Sequence, residues 1–305
     1  MLNKSQNVQT WRWENLNVSW QMDGKELDSS ISIVFIHGFG GCKEHWRHNL
    51  PILAKHNTCY AIDLIGFGES SQPQAKLKQE TGNSDGFTYC FDNWGKQISD
   101  FCIEVVQKPV LLVGNSIGGV IALRASKILR NKCIGIVLID CAQRAMDDKR
   151  LKEQMLLMRF IRPILKTIVK QRWLSQTLFK NAADPKVIKR ILNTAYPSGK
   201  NIDDELIELL HKPSRRAGAD EAFRGFINLF DDYLATELMK DMTIPVDLIW
   251  GEQDPWEPIS EAKKWYSNIS CIRSLKIISE AGHCPHDEKP EEVNSQLLRI
   301  IQEAI

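Results

Sequence analysis

The sequence predicts an α/β fold, a mostly parallel central sheet covered by helices on both faces and interrupted by an inserted helical lid. Three observations predict it. Short continuous apolar runs recur along the chain, as strands covered on both faces require. Helical stretches alternate with them, the pattern of a doubly covered sheet. Between Asp140 and Met242 that alternation stops, and about a hundred residues read as helix with no comparable strand run. With 305 residues, 43% of them apolar, the chain can build one large core and a lid but not several independent domains.

The elements follow in order. Trp11–Trp13 and Val18–Gln21 carry aromatic and β-branched residues parted by polar asparagine, and read as an antiparallel pair. Ile33–Ile36, Cys59–Ile62, Val110–Val113, Ile134–Ile139, Val246–Trp250 and Leu275–Ile278 read as buried parallel strands. Asn93–Val106, Ile117–Arg130 and Pro290–Ala304 read as helices between them, each connection a right-handed crossover. Gln72–Gly86 is polar, with Pro and Gly, and reads as a surface excursion. The boundaries are therefore a core over 1–141, a lid over 142–242 and the rest of the core over 243–305.

A formal charge of +1 gives no whole-chain field to attract nucleic acid. The eight cysteines are scattered without a C-x-x-C pair, several in apolar runs, which fits reduced structural thiols. Residues 1–13 hold no apolar signal-type segment, and no run approaches the ~20 apolar residues that span a bilayer. The expectation is a protein of a reducing compartment, cytoplasmic or stromal in type and not secreted, at most peripheral to a membrane.

After the strand at Val110–Val113 comes Gly114-Asn115-Ser116-Ile117-Gly118, then Gly119 and a helix. This is G-x-S-x-G in its strand-turn-helix context, where a tight turn lifts a serine hydroxyl clear of the sheet. The helix starting at Ile117 aims its N-terminal N–H groups at the place where negative charge develops. No G-K-[ST] follows, so a phosphate-binding loop is excluded.

A serine hydroxyl needs a histidine to take its proton. His283 is best placed, just past the strand at Leu275–Ile278 at the sheet edge where ligands gather; His286 is its rival and otherwise a supporting or surface residue. The imidazole needs a carboxylate, and Asp254, beyond the strand ending at Trp250, gives the order Ser, Asp, His. Asp140 competes for that role and otherwise caps or turns the chain. His37-Gly38-Phe39-Gly40-Gly41 lets backbone N–H groups approach a ligand, so the N–H groups of Phe39 and Ile117 would form an oxyanion hole, with His37 holding the loop. Gly38, Asn115 and Trp256 adjoin these groups and are expected to touch substrate. A zinc site on His37, His45 and His48 lacks a completing ligand, so neither metal nor cofactor is expected.

His37–Gly40, Asp63–Ser70, Gly114–Gly118, Gly251–Asp254 and Gly282-His283 together resemble the α/β-hydrolase fold family over nearly the whole chain. Serine at the nucleophile position separates it from the similar epoxide hydrolases and haloalkane dehalogenases, which attack with aspartate. Gly251–Pro258 and Gly282–Glu288 resemble the pheophytinase and chlorophyll dephytylase group, with His286 where that group carries glutamine. That resemblance implies hydrolysis of a carboxylic ester through an acyl-enzyme, with a phytyl ester of a chlorophyll-type pigment or another long-chain ester as substrate. C–C bond hydrolysis, perhydrolysis and a ligand-sensing receptor that keeps the triad are the alternatives.

From Arg144 to Trp173 basic residues, among them Arg159, Arg162, Lys166 and Lys170, interleave with large apolar ones and few acids. Such a helix suits either an anionic membrane surface or a cover with its basic face in water. Pro163 is expected to kink or split it.

Overall fold

A computed structural model of the chain describes residues 8–24, 30–77, 86–153 and 156–304. Among these residues eight strands form one sheet: β1 (Val8–Trp13), β2 (Leu16–Asp23), β3 (Ser32–Ile36), β4 (Thr58–Ile62), β5 (Val110–Asn115), β6 (Cys133–Ile139), β7 (Val246–Gly251) and β8 (Ile272–Ile278). Their order across the sheet is β1-β2-β4-β3-β5-β6-β7-β8. β1 and β2 pair antiparallel, as their hairpin-like sequence predicts, and β2 runs antiparallel to β4. Every other pairing is parallel. The reversal of strand order on either side of β3 puts the carboxyl ends of β3 and β5 at the switch point where open α/β sheets bind ligands.

Among the described residues twelve α-helices accompany the sheet: α1 (Leu50–Leu53), α2 (Phe91–Phe101), α3 (Ile117–Leu129), α4 (Leu156–Val169), α5 (Arg172–Ala182), α6 (Pro185–Ala195), α7 (Asp204–Ser214), α8 (Ala219–Ile227), α9 (Ala235–Met239), α10 (Ile259–Asn268), α11 (Pro285–Glu288) and α12 (Pro290–Ala304). Two apolar clusters sandwich the sheet. Val34, Ile36, Leu112, Leu138 and Leu248 point to one face, against Trp94, Val120 and Trp265 of α2, α3 and α10. Ile33, Phe35, Leu111, Val113 and Ile249 alternate to the other, against Trp46, Val293 and Leu297. Residues of β3–β6 are almost all buried, which is why their sequences read as unbroken apolar runs. β8 departs from that expectation: it is the sheet's edge, and Ile277 on it is exposed.

Between β6 and β7 the chain forms α4–α9. α4 runs through Pro163 as one helix instead of splitting there. The loss of one backbone bond is offset because a single carboxylate grips both sides of the proline: Asp148 Oδ1 accepts from Arg162 Nε at 2.9 Å and from Lys166 Nζ at 2.6 Å. These two basic residues thus turn toward the body of the inserted segment. Side chains of residues 153–160, including that of Arg159, lie outside the described part. The stretch expected as a surface excursion is partly covered as well: Ala75 is buried, and its N–H donates to Glu221 of α8 at 2.7 Å. Residues 78–85 of that stretch lie outside the described part.

Candidate active site

Ser116 sits between β5 and α3 with φ 54° and ψ −122°, a conformation strained for an L residue and typical of functional turns. The surroundings hold it there. Its N–H donates to Ile139 O at 3.0 Å, and its carbonyl accepts from Gly119 and Ala142. Gly114 and Gly118 are forced by space: a Cβ on Gly114 would lie 2.2 Å from Gly118 O, and one on Gly118 would lie 2.3 Å from Ile36 O. The turn therefore locks against the end of β3, where the glycine-rich loop begins.

That loop presses on the serine. A Cβ on Gly38 would meet Ser116 Cβ at 3.1 Å. His37 fixes the loop: its Nε2 accepts from Leu64 N–H at 3.1 Å, which leaves Nδ1–H to donate to Gly38 O at 2.7 Å. Burial pushes the His37 pKa down to about 4, so the ring stays neutral in this role. Among the described residues no acceptor engages the N–H of Phe39 or of Ile117, the two groups expected to form an oxyanion hole.

His283 Nδ1 lies 2.8 Å from Asp254 Oδ2. The carboxylate can only accept, so Nδ1 carries the proton and Nε2 is left basic. Asp254 Oδ1 accepts from the N–H groups of Trp256 at 2.8 Å and Glu257 at 3.0 Å. Burial pushes the Asp254 carboxyl upward, but the His283 hydrogen bond and charge and the Trp256 N–H hold it below the usual range. The backbone carbonyl of His283 accepts from Asn115 Nδ2 at 3.1 Å, tying the histidine loop to the residue preceding Ser116. No hydrogen bond joins Ser116 Oγ to His283 among the described residues, a looseness common in such sites before substrate binds.

Other expected residues find different places. Asn115, expected to touch substrate, is buried and spends its amide N–H groups on Ile139 O and His283 O. Trp256 stands edge-on to the His283 ring at 4.9 Å and is half exposed. His286, the rival base, is no surface residue: it is packed on Trp46 and His45 with both ring nitrogens unpartnered, and burial drives its pKa well down. Asp140 ends β6, accepts from Gly251 N–H at 2.9 Å and sits against Asp254; burial, then the Asp254 charge, raises its pKa well above the carboxylate range.

A sequence model of the alpha/beta hydrolase family matches residues 33–296. The chain belongs to that family. It is 25% identical over 304 residues to the chloroplastic pheophytinase of Arabidopsis thaliana, covering 92% of this chain and 63% of that one, so it spans under two thirds of that relative's length. It is 26% identical to the uncharacterized hydrolase YugF of Bacillus subtilis, over 89% of this chain and 90% of the relative. The solved structure of the epoxide hydrolase CorEH superposes with a TM-score of 0.78 at 16% identity, covering 98% of this chain and 99% of that one.

In this alpha/beta hydrolase, a cavity of about 220 Å³ opens beside the Phe39-Gly40-Gly41 loop. Phe39 and Phe67 form its floor, and Phe179, Ile188, Leu210 and Phe223 of the inserted segment form its roof. Phe39 also stacks on Phe226 at 3.9 Å. A larger open groove of about 590 Å³ between β8 and α12, lined by Ile277, Glu292 and Gln296, includes none of these groups. The roof residues were missed by sequence reading. Their helices are amphipathic, but helical periodicity does not say which face meets a cavity.

A second missed feature binds the inserted segment to the histidine loop. His283 N–H donates to Ala195 O at 2.9 Å, at the end of α6. Tyr196 OH donates to Asp287 Oδ2 at 3.0 Å and accepts from His45 Nε2 at 2.8 Å. Glu288 accepts from Ser198 N–H at 2.8 Å through one oxygen and from Gly282 N–H at 2.7 Å through the other. Arg47 Nε donates to Asp287 Oδ1 at 2.9 Å, closing the network.

Proposed function

We propose that this chain hydrolyses a carboxylic ester with one long apolar arm, using Ser116 as nucleophile, His283 as base and Asp254 as the carboxylate behind it. The observation that carries the reading is the strained Ser116 turn beside an imidazole whose Nδ1 is bound to Asp254 at 2.8 Å. Ser116 Oγ adds to the ester carbonyl while its proton passes to His283 Nε2. The carbonyl electron pair moves to oxygen, where the N–H groups of Phe39 and Ile117 receive it, each donor worth roughly 10²–10³ in rate. Collapse breaks the C–O bond, and His283 returns the proton to the departing alcohol. Water then repeats the cycle on the acyl-serine, with His283 again as base.

The substrate class follows from the cavity. Its phenyl and aliphatic walls suit a hydrocarbon arm, at roughly 0.8 kcal/mol per buried CH₂. At about 220 Å³ it is smaller than the roughly 300–1,000 Å³ of sites that enclose a whole drug-sized ligand, so the bulk of the molecule stays outside. A phytyl ester of a chlorophyll-type pigment has that form, and the likeness to a pheophytinase supports it. In this reading α4–α9 are the lid over 142–242. Eight unpaired cysteines, seven of them buried, support a cytoplasmic or stromal reducing compartment.

The test is turnover of p-nitrophenyl esters of increasing acyl length beside release of phytol from a phytylated pigment, with trapping of Ser116 by a fluorophosphonate. Ester turnover that improves with apolar length, and labelling lost in Ser116→Ala, is the expected result. A folded protein that neither labels nor turns over any ester overturns the reading.

A further inference from the structure

Residues 154–200 hold ten basic side chains and one acidic one, Asp184, in a chain whose total charge is +1. The same stretch contains an unusual surface. On α4, Ile161, Ile164, Leu165 and Ile168 follow the i, i+3, i+4, i+7 spacing of one helical face, and all four are exposed, Ile164 at 61%. The opposite face holds Arg162 and Lys166 against Asp148. The helix is thus turned with Arg162 and Lys166 inward and its apolar stripe outward. Trp173 at the start of α5 is a further exposed large apolar side chain, at 66%.

We propose that α4–α6 form a docking face for an anionic lipid surface. The chemistry of this face selects that occupant. An apolar stripe with an indole at its border is what seats a helix in the headgroup region. Lys180, Lys186, Lys189 and Arg190 are exposed on α5 and α6, where they meet phosphate. A second copy of the chain would bring like charge against like charge across the same face. Contact is peripheral, since among the described residues no helix is long and apolar enough to cross a membrane. The face also leads into the cavity, because Ile191 of α6 is exposed and lines it. An apolar arm leaving the bilayer would therefore stay in apolar surroundings. The inference deepens the ester-hydrolase reading by placing its substrate in a membrane, but binding is read apart from turnover.

This differs from a purely electrostatic attachment through the Arg144–Trp173 stretch, because Arg162 and Lys166 are already engaged. The experiment is flotation of the full chain with phosphatidylcholine vesicles, with and without phosphatidylserine. Wild type should bind the anionic vesicles. The triple variant Lys186→Gln, Lys189→Gln, Arg190→Gln should bind them roughly 100-fold more weakly, from about 1 kcal/mol per cation. Ile164→Glu with Trp173→Glu should lose binding even at low salt. Both variants should keep wild-type melting and wild-type turnover of a short soluble ester, since none of these residues lines the cavity or touches His283. Absence of vesicle binding by wild type, or binding unchanged in both variants, overturns the proposal and leaves the face to a protein partner. Binding in Ser116→Ala, with turnover abolished, supports the docking face whatever the fate of the ester-hydrolase reading.

Discussion

The carboxyl group of Asp140 lies against that of Asp254, fully buried, with its Oδ1 accepting the Gly251 N–H at 2.9 Å. Two carboxylates in one dry site cannot both ionise. Their environments separate them: the His283 hydrogen bond and charge hold Asp254 low, whereas burial and the Asp254 charge push Asp140 well up, toward the neutral acid that can share its proton with Asp254. Asp140→Asn should therefore retain most ester turnover, because an amide supplies the same donor. Asp140→Ala removes a hydrogen bond to a charged group, worth about 1.5–3 kcal/mol, and should lower kcat roughly 10- to 100-fold. Equal losses in both variants would show that Asp140 supports Asp254 by charge or bulk instead.

On the proposed mechanism, Ser116→Ala should lower turnover by about 10⁶ without changing the fold, because nucleophile, base and carboxylate would act as a unit. Asp254→Asn should lower it by about 10⁴ by misplacing the imidazole proton. Steady-state kinetics on one activated ester, beside circular dichroism, checks both. An Asp140→Asn loss larger than that of Asp254→Asn would move the acid to β6.

Stability should depend on pH through Glu257. Burial pushes its pKa up to about 7, against a partial counterweight from the Gln143 N–H. A carboxyl raised on folding costs nothing below its unfolded pKa, near 4.3, and destabilises the native state as pH rises toward 7. Glu257→Gln should thus melt with the wild type at pH 4 and above it at pH 8, by on the order of 3 kcal/mol. Asp254 runs the other way, its lowered pKa stabilising the fold above pH 4 and failing in stronger acid.

Arg162→Gln should lower the melting temperature, by about 1–3 kcal/mol in stability, since it strips a buried charged partner from Asp148. Its effect on vesicle flotation should be small. Thermal melts of this variant beside Lys186→Gln separate the two kinds of cation in the inserted segment, one that holds the helix and one that faces outward.

Strands β3–β7 were legible because each is covered on both faces and must be apolar throughout. β8 was legible only from Leu275, since Ile272-Arg273-Ser274 alternates in the manner of a half-exposed edge. Ser116, Asp254 and His283 stood out because their turns need glycine beside them, a local demand that sequence displays. The orientation of α4 did not stand out: its pattern defines two faces, and only the position of Asp148 decides which faces inward. The Tyr196–Asp287–Arg47 network was equally hidden. Its members are 91 and 240 residues apart, and hydrogen bonds at such separations leave no periodicity.

The bonds from Ala195, Tyr196 and Ser198 to the histidine loop divide the inserted segment for anyone wishing to alter its specificity. α4 and α5 are tied through Asp148, Glu221, Arg224 and Asn228, all residues of that same segment. Cavity-facing positions such as Phe179 can therefore be exchanged, or α4 and α5 grafted from another protein, without disturbing the imidazole. The link from α6 to α7 offers no such freedom. A loop insertion between Ala195 and Asn201 that reshaped the roof would also release His283, so variants with new specificity are to be sought in α4 and α5.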